Sequence, residues 1–243
     1  MSYITWDYYD ICCNKRRCRI LVPKEISQFW TICYNSGDLF QVDIDIIGNR
    51  KGLEAFRNAC AVLANEENMI VYFPCKKNPV NPMFDYFHPE GTIWRWYGNF
   101  YFTEFVLMKP NMVKISDWKE IRKRIRSSES GQWGCHFPHE FCDMHNDKKY
   151  RYRNIRLNVV YRLDTEFFNL PYFGYSELAC DMEEFLNHDL EKMFREDIKE
   201  RERFRGEDIL CMEAKRPGFE LGLVFWDNDI YQETTRQADR NRK

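Results

Sequence analysis

The hydrophobic pattern along the chain switches between a period of two and a period near 3.6, which predicts strands mixed with amphipathic helices. RCRILV (17–22) and ISQFWTICY (26–34) are rich in β-branched and aromatic residues and flank Pro23, predicting two strands joined by a short bend. Phe40, Val42, Ile44 and Ile46 then alternate with Gln41, Asp43 and Asp45, the signature of a half-buried strand, which ends at Gly48-Asn49. Leu53, Phe56, Cys60 and Leu63 follow at spacings of three and four, so a helix is expected with Asn49 as its N-cap. MIVYF (69–73) is an apolar run that fits a buried strand and completes a strand, helix, strand succession from about 38 to 73.

Residues 74–91 hold Pro74, Pro79, Pro82, Pro89 and Gly91, which predict a loop, together with Phe84 and Tyr86 to bury or present. TIWRWY (92–97) and FYFTEFVL (100–107) flank Gly98-Asn99 as the arms of an aromatic hairpin. A helix over 116–127 is expected, with Ser116 at its cap, Trp118, Ile121 and Ile125 on its apolar face, and acid-to-base charge order along its length. The Ser, Glu and Gly composition of 127–134 marks a division, giving lobes at 1–130 and 131–228 and a polar tail at 229–243 that frays; a single elongated domain is the other organisation. In the second lobe IRLNVVYRL (155–163) predicts a strand. The stripe Leu178, Met182, Phe185, Leu186, Leu190, Met193, Phe194 and Ile198 predicts a long helix over 177–205, and DILCM and FELGLVFW a strand pair around Pro217-Gly218. Strand followed by helix at 40–64 and again at 155–205 leaves an internal duplication open. The fold class is therefore α+β, mainly antiparallel sheets packed with about three helices, one of them long and in the C-terminal half.

Composition narrows the partners more than the fold. The 243 residues carry 36 Lys+Arg against 38 Asp+Glu, a formal charge of -2, so no whole-molecule field favours nucleic acid or an anionic membrane. No apolar stretch approaches the roughly 20 residues of a bilayer span. The opening MSYITWDYYD has neither the basic nor the apolar region of a secretory signal, so of the 10 cysteines Cys12, Cys13, Cys18, Cys33, Cys60, Cys75, Cys180 and Cys211 are expected as thiols in a reducing, cytoplasmic compartment. Aromatics make up 16% of positions, and those of the 84–105 segment, notably Phe84, Tyr86, Trp94 and Trp96, are candidates for a protein interface.

Candidate chemistry lies in four places. GCHFPHEFCDMH gathers three of the five histidines with two cysteines, and Cys135, His139, Cys142 and His145 offer zinc ligands; the other reading is an irregular polar loop, and no cofactor is otherwise implied. ILCMEAK places Glu213 and Lys215 on one face of a strand. Asp43 and Asp45 form a D-x-D on the polar face of theirs, able to hold Mg²⁺ or simply to sit in water. KKYRYRNIR mixes cations with tyrosines in the manner of a nucleic-acid contact, but the acids that balance the chain argue against that use.

Two of these segments resemble known families. Glu213-x-Lys215 resembles the E-x-K half of the restriction-endonuclease-like nuclease signature, which implies a metal-dependent hydrolase with an upstream acid that the spacing does not identify; a Pro-Gly and a further strand follow where that family places a helix. DLFQVDIDIIGNRKGLEAFRNACAVLAN (38–65), with a strand ending in I-I-G-N and G-L-E-x-F opening a helix, resembles small bacterial immunity proteins of polymorphic-toxin systems. That resemblance implies a cytosolic, non-enzymatic α+β protein that neutralises a cognate toxin or effector by occluding its functional surface. Asp43 and Asp45 are then candidate partner contacts beside the aromatic set. The expected partner is another protein, with no nucleic acid and no membrane.

Overall fold

Met69–Phe73 and Phe105–Met108 are nearly continuous apolar runs, and from Ile70 onward every residue of both is buried. A strand that hides both of its faces must belong to a sheet covered on both sides. The computed structural model shows such a sheet. It describes residues 3–13, 16–35, 42–74, 100–102, 105–109, 112–138, 140–145, 157–160, 167–170, 175–201, 211–216 and 219–241.

In chain order the first elements are β1 (Ile4–Cys13), β2 (Arg16–Pro23), β3 (Phe29–Asn35), β4 (Val42–Gly48), α1 (Arg50–Asn65), β5 (Met69–Phe73), β6 (Phe100–Phe102), β7 (Phe105–Met108) and α2 (Ile115–Ser127). There follow β8 (Gly131–Cys135), α3 (Phe141–His145), β9 (Leu157–Val160), β10 (Phe167–Leu170), α4 (Tyr175–Leu186), α5 (Leu190–Arg201), β11 (Cys211–Arg216), β12 (Phe219–Phe225) and α6 (Asn228–Asn241). The fold is α+β. These elements form two compact units, the first from Met1–Ile26, Glu54–Cys75 and Thr103–Glu184, the second from Ser27–Leu53, Lys76–Phe102 and Phe185–Lys243.

The first unit is built on a five-stranded sheet in the order β7-β5-β2-β1-β8. Phe56 of α1 packs on one face, its ring 6.3 Å from Phe73 and 5.7 Å from Phe105. Trp118 of α2 stands edge-on to Tyr72 at 5.2 Å on the other, in a cluster with Ile11, Ile20, Ile70, Val106 and Ile121. The second unit holds the sheet β11-β12-β4-β3-β6. There Phe194 of α5 lies edge-on to Phe225 and Trp226 at 5.6 and 5.2 Å, and Arg195 ties α5 to Glu233 of α6 at 2.7 Å.

Each five-stranded sheet has a single parallel pair, β2 with β5 and β4 with β12, and the remaining pairs are antiparallel. From β7 in one sheet and β11 in the other the strand directions follow the same succession. The likeness falls between these sheets and not between 40–64 and 155–205, since β9 pairs with β10 in a separate ribbon.

Several expectations change. Ile4–Cys13, given no structure by the sequence reading, is the longest of the described strands. The division expected at 127–134 instead joins the end of α2 to β8, which pairs with β1, inside the first unit. The tail expected to fray is α6, which buries Ile230 and Thr234. The stripe over 177–205 is realised as two helices, α4 and α5. Residues 100–107 contain β6 and β7, which join different sheets, while the other hairpin arm lies outside the described residues. Ser116 sits inside α2 and does not cap it; at the helix entry the Lys114 backbone N–H donates to Asp117 at 3.4 Å. Among the described residues no helix is long and apolar enough to cross a membrane.

Candidate functional site

Strand register brings two separate sequence motifs together. β11 pairs with β12 so that Glu213 stands opposite Gly222 and Lys215 opposite Glu220. On its other side β12 pairs with β4, placing Gly222 opposite Asp45 and Glu220 opposite Asp43. Because directly paired residues share a face and faces alternate along a strand, Glu213, Lys215, Glu220, Asp43 and Asp45 occupy one face of the second unit's sheet. Two rows result, Glu213–Gly222–Asp45 and Lys215–Glu220–Asp43. Neighbouring strands are about 4.8 Å apart, so the Glu213 and Asp45 backbones lie about 10 Å from one another across a glycine that has no side chain. Of these five register positions four are held by Asp or Glu and one by Lys.

In the first unit the cysteine and histidine segment meets a buried cation. Arg57 of α1 is only 5% exposed. Its guanidinium pairs with Glu183 of α4, lies 4.4 Å over the Phe137 ring and donates to Asn58 Oδ1 at 3.2 Å. Asn58 Nδ2 in turn reaches Cys135 Sγ at 3.9 Å. The Trp6 indole N–H is buried without a hydrogen-bond partner of good geometry, yet it lies close enough to the Cys135 sulfur to favour the charged form. Burial outweighs these donors and pushes the Cys135 thiol up. Cys142 of α3 lies beside Cys180 of α4, and burial raises both thiols. Such thiols stay protonated at neutral pH and are poor nucleophiles.

His139 and the side chain of His145 lie outside the described residues, as do Phe84, Tyr86, Trp94 and Trp96. Among the described residues no group of three or more His, Cys, Asp and Glu is placed to hold a metal ion. The structure thus gives Cys142 a partner in α4 that its sequence neighbourhood does not announce.

No family model matches the chain, and no curated protein or solved structure matches it either.

Residues 48–52 have a clear local role in the second unit. Asn49 Oδ1 accepts from the Gly52 N–H at 3.0 Å, the N-cap that the sequence predicts. The Asn49 N–H donates to the Gln28 carbonyl at 3.2 Å, and the Gly48 carbonyl accepts from the Trp226 N–H at 3.0 Å. Gln28 also holds the start of α6, accepting from the Asn228 N–H at 2.7 Å and donating to Asp229 at 3.3 Å. The glycines of G-N-x-x-G therefore set close backbone packing. The polar positions that precede them on β4, Asp43 and Asp45, are the ones that share a face with Glu213 and Lys215.

Proposed function

We propose that this is a non-enzymatic binding protein acting in the cytoplasm, an immunity or inhibitor protein that neutralises a cognate toxin or effector by covering its functional surface. The observation that carries the reading is the acidic face of the second unit, where Asp43, Asp45, Glu213 and Glu220 occupy neighbouring register positions. A surface of one sign steers a partner of the opposite sign and raises the rate of encounter more than it lengthens the complex's life. The matching partner is a protein with a basic groove, such as one that handles nucleic acid. Resemblance of 38–65 to immunity proteins supports the same reading, and the raised Cys135 and Cys142 thiols are poor nucleophiles.

The test is affinity capture from the native host together with co-expression of the protein encoded beside it. A catalytic protein with a basic surface is expected to co-purify and to lose activity in the complex. Asp43→Lys with Asp45→Lys should slow association about tenfold or more at low salt, with a small change in dissociation. A partner captured equally fast by the variant would sink the acidic face as the docking surface.

A second reading is favoured by the same register: a metal-dependent hydrolase in which Glu213 and Asp45, flanking Gly222, hold Mg²⁺ or Mn²⁺ and Lys215 positions the attacking water. Asp45 supplies the upstream acid that spacing alone leaves unidentified. Opposing it, Lys215 stands directly across from Glu220, the arrangement of an ordinary cross-strand ion pair. Cleavage of nucleic acid that needs the divalent ion and vanishes in Glu213→Ala and Lys215→Ala would replace the inhibitor reading.

A further inference from the structure

The sheet of the first unit ends differently on its two sides. At one side β9 packs beside β7, and the Tyr175 hydroxyl donates to the Met108 carbonyl at 2.8 Å. At the other side β8 pairs with β1 alone, and among the described residues its outer edge has no strand beside it. Exposed edges in monomeric proteins are guarded by charges, proline or bulges, because unpaired N–H and C=O groups template further pairing. β8 reads GQWGC and has neither charge nor proline. Its register with β1 is unbroken from Ile4–Cys135 to Tyr8–Gly131, so no bulge interrupts it. The rings of Tyr8 and Tyr3 lie over Gly131 and Gly134, where any side chain would collide with them, and this aromatic cover keeps the strand regular.

We infer that β8 is a homodimerisation edge, pairing antiparallel with β8 of a second copy about a two-fold axis. Full overlap of the five residues places the axis at Trp133, so that Trp133 meets its counterpart, Gln132 meets Gly134 and Gly131 meets Cys135 of the other copy. A second copy fits this edge better than an unrelated strand for a reason of charge. Antiparallel pairing lays the Glu129–Ser130 end of one strand beside His136 at the end of the other, a carboxylate acceptor next to an imidazole donor, twice over. Both Glu129 and His136 are exposed, and the His136 ring is steadied by Tyr3 at 4.8 Å. Tyr3, 56% exposed on the same face as Gln132, adds apolar surface on each side of the axis. One short strand pair is a small interface, so the association belongs to the weak, concentration-dependent class.

Sedimentation velocity and light scattering on the full chain, over about 1 μM to 1 mM, test this. The mass should rise from 29.7 kDa towards twice that value with concentration. The Gln132 positions of two copies would be diagonal neighbours about 7–8 Å apart, within reach of long side chains. Gln132→Lys alone and Gln132→Glu alone should each weaken association about two- to fivefold, by like-charge repulsion across the axis. An equimolar mixture of the two variants should restore it. Gln132 is exposed, and unchanged circular dichroism will show that the variants fold. A wild-type chain that stays monomeric throughout, or variants that associate as the wild type does, would overturn the inference; capture of an extended peptide by a monomeric chain would instead assign the edge to a different occupant.

Discussion

Gly52 shows how one position can reverse a general rule. In the first turn of a helix, Gly→Ala ordinarily stabilises by up to about 1 kcal/mol, because alanine has less backbone freedom to lose. Here a Cβ on Gly52 would stand 2.5 Å from the Gln28 carbonyl oxygen. That oxygen is backbone, already held by the Asn49 N–H, and cannot swing aside. Overpacking of this kind costs about 1–3 kcal/mol, so the clash wins and Gly52→Ala is expected to lower the urea midpoint. A midpoint at or above wild type would show that the Gln28 segment yields. The contrast with Asn49 explains what a sequence discloses at this scale. Asn49 caps its own helix, a contact three residues long, and its role is legible. Gly52 and Arg57 answer to residues far along the chain: Arg57 sits among polar positions of an amphipathic helix, yet it is buried against Glu183, 126 positions away.

At the scale of elements, the stripe Leu186, Leu190, Phe194 and Ile198 keeps helical spacing without a gap, so hydrophobic periodicity sees one helix where the fold has two. Polar groups make the break. Asp189 accepts from the Lys192 N–H at 3.2 Å at the start of α5, and Arg50 donates to the Leu186 and His188 carbonyls at 2.6 and 3.0 Å, satisfying the end of α4. Arg50 also grips Glu191 with two bonds of 2.7 Å, and this hydrogen bonding holds the Glu191 carboxyl below its ordinary value of 4.5. A carboxyl lowered in the fold contributes stability above its unfolded value and loses that contribution as pH falls through the folded one. Arg50→Ala should therefore cost about 2 kcal/mol near neutrality, mostly from lost charge-assisted bonds to partly exposed partners. The gap between variant and wild type should narrow as pH drops below about 4.5. Urea unfolding at pH 7 and near pH 3.5 measures both values, and a gap that does not change with pH would remove Glu191 from the account. The strands missed by periodicity, β1 and β8, fail for a related reason: Ile4 and Trp6 alternate correctly, but GQWGC is glycine-rich and resembles a linker until its tyrosine cover from β1 is known.

For the molecule as a whole, chain order hides the two sheets. β4 and β5 follow one another across α1 yet belong to different sheets, and β4 finds its parallel neighbour in β12, near the far end of the chain. The D-x-D and E-x-K motifs are each visible in sequence, but their meeting on one face is not, because register between distant strands is set by the fold and not by local spacing. The acidic face belongs to the second unit and the open edge β8 to the first. Their physics also differs. Docking of a basic partner on four carboxylate positions is Coulombic and weakens as the Debye length shrinks from about 10 Å at 0.1 M salt to about 3 Å at 1 M. Pairing through β8 rests mainly on backbone hydrogen bonds and aromatic cover, with the Glu129–His136 pairs only at its two ends, so salt weakens it less. Raising salt should therefore release the partner while the dimer persists. Gln132→Lys should weaken the dimer and leave partner association unchanged, and Asp45→Lys should slow partner association and leave the dimer unchanged. Loss of both interactions in either variant would mean that the face and the edge serve a single surface, and the two readings would have to be merged.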